Sequence, residues 1–183
     1  MELRNSLLMI RTSLKLNTRL GSKDIALVGM MVATIEAGKL AMSFLPNIEP
    51  VTLFIILYTL IFGPKVLYAI FIFTILEGFL YGFGIWWFVY LYIWPLLSIL
   101  TMIFRKYTSL WIWTFFSTLF GLSLGLLSSF TALVLSGPQA AFSYFIAGIP
   151  FDLLHGVGNF AMTVALFLPL KKILTKVRVW YLQ

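Results

Sequence analysis

The sequence contains no cysteine, so it can hold neither a disulfide nor a thiolate metal site. Charge is also scarce. Asp, Glu, Lys and Arg together make up 10% of the 183 residues, where a soluble domain carries about 25%. No H-E-x-x-H, G-x-S-x-G or Walker A pattern occurs, which removes the local signatures of zinc proteases, serine hydrolases and P-loop NTPases. No internal repeat, low-complexity tract or separate soluble domain is visible, so residues 1–183 read as a single domain. What fills the chain is apolar: 61% of it is hydrophobic and the mean hydropathy is +1.02. Too little polar surface remains to cover a globule in water, and the composition describes a chain solvated by lipid.

A helix crossing a hydrocarbon core about 30 Å thick needs roughly 20 apolar residues. Breaks at Gly and Pro divide the chain into six candidate spans: Asp24 to Phe44, Val51 to Phe62, Lys65 to Tyr81, Ile85 to Phe104, Leu110 to Leu135, and Gln139 to Leu170. Ser22 is the expected N-cap of the first, and Pro95 falls inside the fourth. The second is short. The last exceeds one span and is interrupted at Gly148-Ile149-Pro150, which predicts a short outer or re-entrant helix leading into the sixth span. The expected fold is thus an all-α, six-span bundle.

The basic residues give this map a direction. Arg4, Arg11, Lys15, Arg19 and Lys23 precede the first span, Lys65 lies between the second and third, and Arg105 and Lys106 lie between the fourth and fifth. Lys171, Lys172, Lys176 and Arg178 follow the sixth, so that 12 of the 13 basic residues fall on one side. The positive-inside rule makes that side cytoplasmic and places both termini there. The net charge of +7 therefore reflects topology rather than a nucleic-acid partner. Residues 1–22 are expected to be a cytoplasmic segment, and their mixture of Leu, Ile and basic residues fits an amphipathic helix on the inner leaflet.

Ionisable groups at membrane depth are costly and usually functional. Glu36, Lys39, Glu77, Asp152 and His155 are such groups. In the six-span map Lys39, Glu77, Asp152 and His155, together with Asn159, lie in the outer half. Asp152, His155 and Asn159 are spaced i, i+3, i+7 and share a helix face. Tyr81, Trp86, Trp87 and Tyr90 fall at the same level. One reading is a structural polar cluster, with Glu77 or Asp152 paired to Lys39, beneath an ordinary interfacial aromatic belt. The other is a small-molecule pocket open to the outside. Two carboxylates against one lysine, beside aromatic faces, suit a flat heterocycle bearing amino or hydroxyl groups better than an organic anion. No metal site is expected.

Gly29, Ala33, Ala37 and Ala41 recur every fourth residue and form a smooth ridge for close helix packing, either within the bundle or against a partner.

With these features in place the chain resembles the substrate-binding S component of an energy-coupling factor (ECF) vitamin transporter. Ala33-Thr34-Ile35-Glu36-Ala37 matches the family's A-x-x-x-A motif on span one, and Gly148-Ile149-Pro150-Phe151-Asp152-Leu153-Leu154-His155-Gly156-Val157-Gly158-Asn159 resembles the start of span six in several members. The resemblance covers nearly the whole chain. It implies a bacterial plasma-membrane protein whose small-residue ridge docks a transmembrane scaffold subunit. Two cytoplasmic ATPase subunits would supply the energy, so no cofactor is expected in this chain. The vitamin would lie in the outer half under the loop Leu45-Pro46-Asn47-Ile48-Glu49-Pro50, and the members most similar are those for vitamin B6 forms or the hydroxymethylpyrimidine precursor of thiamin. The rival readings are an intramembrane enzyme using Asp152 and His155 as an acid–base pair, and an autonomous small-solute carrier. Neither a nucleophile motif nor an inverted repeat supports them.

Overall fold

The computed structural model describes residues 20–45, 48 and 50–183. The expected amphipathic segment at 1–19, and Pro46, Asn47 and Glu49 of the expected lid loop, lie outside the described residues.

All regular structure among the described residues is helical: α1 (Ser22–Ala41), α2 (Val51–Phe62), a 3₁₀ turn (Gly63–Lys65), α3 (Val66–Tyr81), α4 (Ile85–Phe104), α5 (Leu110–Leu122), α6 (Leu124–Ser136) and α7 (Pro138–Leu182). The N-cap of α1 is Gly21, one residue before the expected Ser22, because the Asp24 carboxylate reaches back to accept the Gly21 N–H at 3.0 Å. Gly63 and Gly82 end α2 and α3 at φ +70° and +89°, a left-handed region that side chains rarely tolerate.

Four helical stretches are long and apolar enough to cross a membrane: Val51–Tyr81, Ile85–Phe104, Leu110–Ser136 and Pro138–Leu182. Large side chains point outward along them, with Phe79 76%, Phe115 70% and Phe142 67% exposed, an arrangement unsuited to water and suited to lipid. The buried core is built from Met31, Ile35, Ile55, Leu57, Phe73, Leu97, Trp113 and Phe167. In hydrocarbon such a core gains little from the hydrophobic effect, so close packing and interhelical hydrogen bonds must hold the helices together. Thr34 and Tyr58 share one such bond between α1 and α2. Thr59 donates to Ser98 at 3.1 Å between α2 and α4.

Two charged contacts fix relative direction. Asp24, Lys65 and Tyr181 meet at one end of the bundle, while Lys39 and Glu77 meet at the other. Helices α1 and α3 therefore run parallel. Helix α7 packs along α5 and α6 and also against α2, antiparallel to the α5–α6 pair. The register is set by Ser117 with Thr163 at 2.7 Å and by Gly125 with Asp152 at 2.7 Å.

The structure corrects one expected boundary and adds a detail to another. The expected span from Leu110 to Leu135 is one apolar stretch, Leu110–Ser136, with a one-residue interruption at Ser123 between α5 and α6. There the Ser123 N–H and hydroxyl both turn back to the Phe120 carbonyl, at 3.1 and 2.8 Å. The interruption expected at Gly148-Ile149-Pro150 is absent: α7 runs unbroken from Pro138 to Leu182 with Pro150 inside it. Within a membrane a helix survives an internal proline when neighbouring structure covers the freed carbonyl, and here α6 lies along this part of α7.

Candidate functional site

The break at Ser123 gives α6 an N-terminus of its own in the middle of the Leu110–Ser136 stretch. The first amides of a helix lack intrahelical acceptors and carry the positive end of its dipole. Asp152, 6% exposed, answers this directly: its Oδ1 accepts the Gly125 N–H at 2.7 Å. The approach needs glycine, since a Cβ at position 125 would lie 2.5 Å from Asp152 Oδ2.

Around this contact lies a cavity of about 300 Å³ lined by Gly125, Ser128, Tyr144, Gly148, Asp152 and His155, among others. A second chamber of about 120 Å³ adjoins it, sharing Leu124, Ser128, Tyr144 and His155 and adding Trp86, Tyr90 and Trp94. A carboxylate and an imidazole thus face one space, and three aromatic rings wall the next. The rings brace one another edge to face, Trp86 against Tyr90 at 5.2 Å and Tyr90 against Trp94 at 5.3 Å. Trp94 is 3% exposed, and its indole N–H has no acceptor among the described residues. It is a buried donor in the chamber wall.

Lys39 and Glu77 form a separate cluster. Glu77, 1% exposed, is ion-paired to Lys39, whose ammonium lies 4.7 Å from the centroid of the Tyr81 ring and 6.0 Å from that of Tyr90. Tyr90 borders both clusters and also stacks on Phe73 at 6.1 Å.

Of the nine expected pocket residues, Asp152, His155, Trp86 and Tyr90 line the two chambers. Lys39, Glu77 and Tyr81 form the neighbouring ion pair and its aromatic flank. Asn159 faces neither space: its amide donates to the Ser117 carbonyl at 3.0 Å and to Thr52 at 3.4 Å, tying α7 to α5 and α2. It keeps the face of α7 that Asp152 uses but lies two turns further along, where α5 rather than α6 is opposite. Trp87 also turns from the cavity. Its indole donates to the Thr74 carbonyl at 2.8 Å and its ring packs on Phe83.

Tyr144, Ser128 and Trp94 were not among the expected residues. Tyr144 belongs to the same stripe as Asp152, at positions 144, 148, 152 and 155, but treating Gly148 to Pro150 as a break hid it.

The ridge of α1 faces outward along its whole length. Gly29, Ala33, Ala37 and Ala41 are all exposed, and a Cβ added at Gly29 would meet nothing within 4 Å. Packing of this stripe inside the bundle, one of the two expectations, does not occur. No cluster of three or more candidate metal ligands occurs among the described residues. Comparison with protein-family models, with curated proteins and with solved structures finds no match to this chain.

Proposed function

We propose that the chain is the membrane-embedded substrate-binding subunit of an ECF-type importer, capturing a small water-soluble vitamin or vitamin precursor from outside the cell. The observation that carries the reading is the pair of adjoining chambers, one polar with Asp152 and His155, the other aromatic with Trp86, Tyr90 and Trp94. Small-molecule sites combine such apolar walls with a few convergent polar groups. A flat heterocycle would stack on the rings, donate to Asp152 and accept from the Trp94 indole. Because the Asp152 carboxylate offsets the positive end of α6, the polar chamber does not favour an anion.

In this reading the chain crosses the bacterial plasma membrane six times with both ends cytoplasmic. The charged contacts support the count: Asp24, Lys65 and Tyr181 at one end, and Lys39 and Glu77 at the other, make α1 and α3 parallel and set the end of α7 level with the start of α1, as six spans require. The exposed small-residue face of α1 is the docking surface for the scaffold subunit, whose two ATPase partners supply the energy. This chain itself performs no chemistry.

The test is direct. The purified full-length chain is denatured and the released small molecules are identified by mass spectrometry, then titrated back. One retained compound per protein, returned unchanged and rebound, is the expected result. A compound that is converted by the protein would favour the intramembrane enzyme, and no retained or rebinding compound would remove the pocket reading.

A further inference from the structure

We infer that the basic end of the bundle holds an anionic phospholipid headgroup between the α4–α5 connection and the C-terminal turns of α7, bound by Arg105, Lys106, Lys171 and Lys172. This rests on the membrane-embedded character of the chain and not on what the chambers bind.

The charge at this end is uncompensated. Asp24 is its one acidic residue among the described residues, and Lys65 and Tyr181 already engage it. Arg105, Lys106, Lys171 and Lys172 form no ion pair among the described residues. Four cations concentrated at a membrane boundary are the electrostatic pattern that attracts anionic lipid.

The register sets the four at one level of the bundle. Ser117 of α5 bonds Thr163 of α7. Continuing this antiparallel pairing by two turns sets Leu110 opposite Leu170, so the connection before Leu110 is level with Lys171 and Lys172. The connection is held: its Tyr107 carbonyl accepts the Trp113 indole N–H at 3.0 Å, and the Tyr107 N–H returns to the Phe104 carbonyl at 3.0 Å. Arg105, Lys106 and Lys172 are exposed.

The depth is right for a headgroup. Between Asp152 and Lys171 the helix carries no Asp, Glu, Lys or Arg, a rise of about 28 Å that approaches the thickness of a hydrocarbon core. Lys171 is where the apolar stretch stops. Trp111, 65% exposed, and Tyr107, 39% exposed, stand at the same level, as aromatic side chains do at the interface.

The surrounding surface selects a lipid over a soluble anion. Ile103 is 62% exposed and Ile173 56%, so apolar side chains flank the cations on both elements and offer acyl chains a place to lie. The Arg105 guanidinium can grip a phosphodiester with two hydrogen bonds, while the lysines add point charge.

The experiment uses the full-length chain in detergent micelles doped with phosphatidylglycerol or phosphatidylcholine, with bound lipid read by native mass spectrometry. Phosphatidylglycerol should be retained roughly tenfold or more over phosphatidylcholine, and less so as salt is raised. R105Q/K106Q/K171Q/K172Q should lose the preference, and R105K/K171R/K172R should keep it. Should the neutral quadruple variant not purify, R105Q/K172Q, both at exposed positions, should show a smaller loss in the same measurement. Equal retention of the two lipids, or a preference untouched by charge removal, would overturn the inference. So would displacement by inorganic phosphate alone, which would mark a soluble-anion site.

Discussion

The Gly125 amide and the Asp152 carboxylate, 2.7 Å apart, join the restart of one helix to the middle of another 27 residues on. Asp152 both accepts an amide at the start of α6 and lines the cavity. Gly125→Ala should force the carboxylate off the amide, because the new Cβ would fall 2.5 Å from Oδ2. Losing a helix cap costs about 0.5–2 kcal/mol, so the melting temperature in detergent should fall. Asp152→Asn can still accept the amide proton. It should leave the melt nearly unchanged while weakening ligand binding by an order of magnitude or more. Unchanged binding would make the residue a cap and nothing else.

The Lys39–Glu77 pair allows a cleaner separation of charge from shape. Lys39→Met would leave a carboxylate that is 1% exposed without its cation. Breaking a buried pair from one side costs about 3–5 kcal/mol, whereas replacing both partners with apolar residues of similar size is often neutral. Lys39→Met should thus melt well below the wild type, and Lys39→Met with Glu77→Leu should recover most of the loss. If the double variant melts as low as the single one, the pair has a further partner.

The contrast between these two carboxylates shows what was legible in the sequence. Lys39 and Glu77 stood out because charge is rare in apolar spans, and opposite charges with no water near them must meet. The helices Val51–Phe62 and Ile85–Phe104 were legible too, since Gly and Pro punctuate them. The division at Ser123 was not. Gly and Ser, the residues at 121, 123 and 125, are also common in continuous membrane helices, so the turn of Ser123 back to Phe120 carries no distinctive pattern. The carboxylate that accepts the Gly125 amide comes from 27 residues away and leaves no local signal. Pro150 misled in the opposite sense: α7 continues through it as one helix, which local rules would end there.

The exposed ridge leads to a third expectation. Ala33 and Ala37 touch solvent or lipid rather than the bundle, so Ala33→Leu and Ala37→Leu should not change the melt or ligand binding by the isolated chain. Under the proposed function, co-purification with a scaffold subunit and cellular uptake should be lost. Uptake at wild-type level would show that the ridge docks nothing.

The absence of cysteine makes a clean background for mapping sidedness. Gln139, in the first turn of α7, and Thr108, in the α4–α5 connection, are both exposed and lie at opposite ends of the α5–α6 pair. A cysteine at position 139 should react with an impermeant thiol reagent applied to intact cells, and one at 108 should react only after lysis. Labelling of 108 from outside would invert the topology.

Adjacent tryptophans give the sharpest test of the aromatic chamber. Trp86 lines it beside Tyr90 and Trp94, while Trp87 is turned toward α3 and bonded to the Thr74 carbonyl. Removing a stacking ring costs on the order of 1–3 kcal/mol of binding, by analogy with bases on aromatic platforms. Trp86→Ala should therefore weaken ligand binding roughly 5- to 150-fold, with a smaller effect on the melt. Trp87→Ala loses a hydrogen bond and the ring that fills the space beside Gly78 and Phe83. It should lower the melting temperature and leave the affinity of the surviving folded protein near wild type. Ligand titration and thermal denaturation of the same two preparations separate the outcomes. Should Trp87→Ala lose affinity while Trp86→Ala keeps it, the chamber walled by Trp86, Tyr90 and Trp94 is not where the ligand binds.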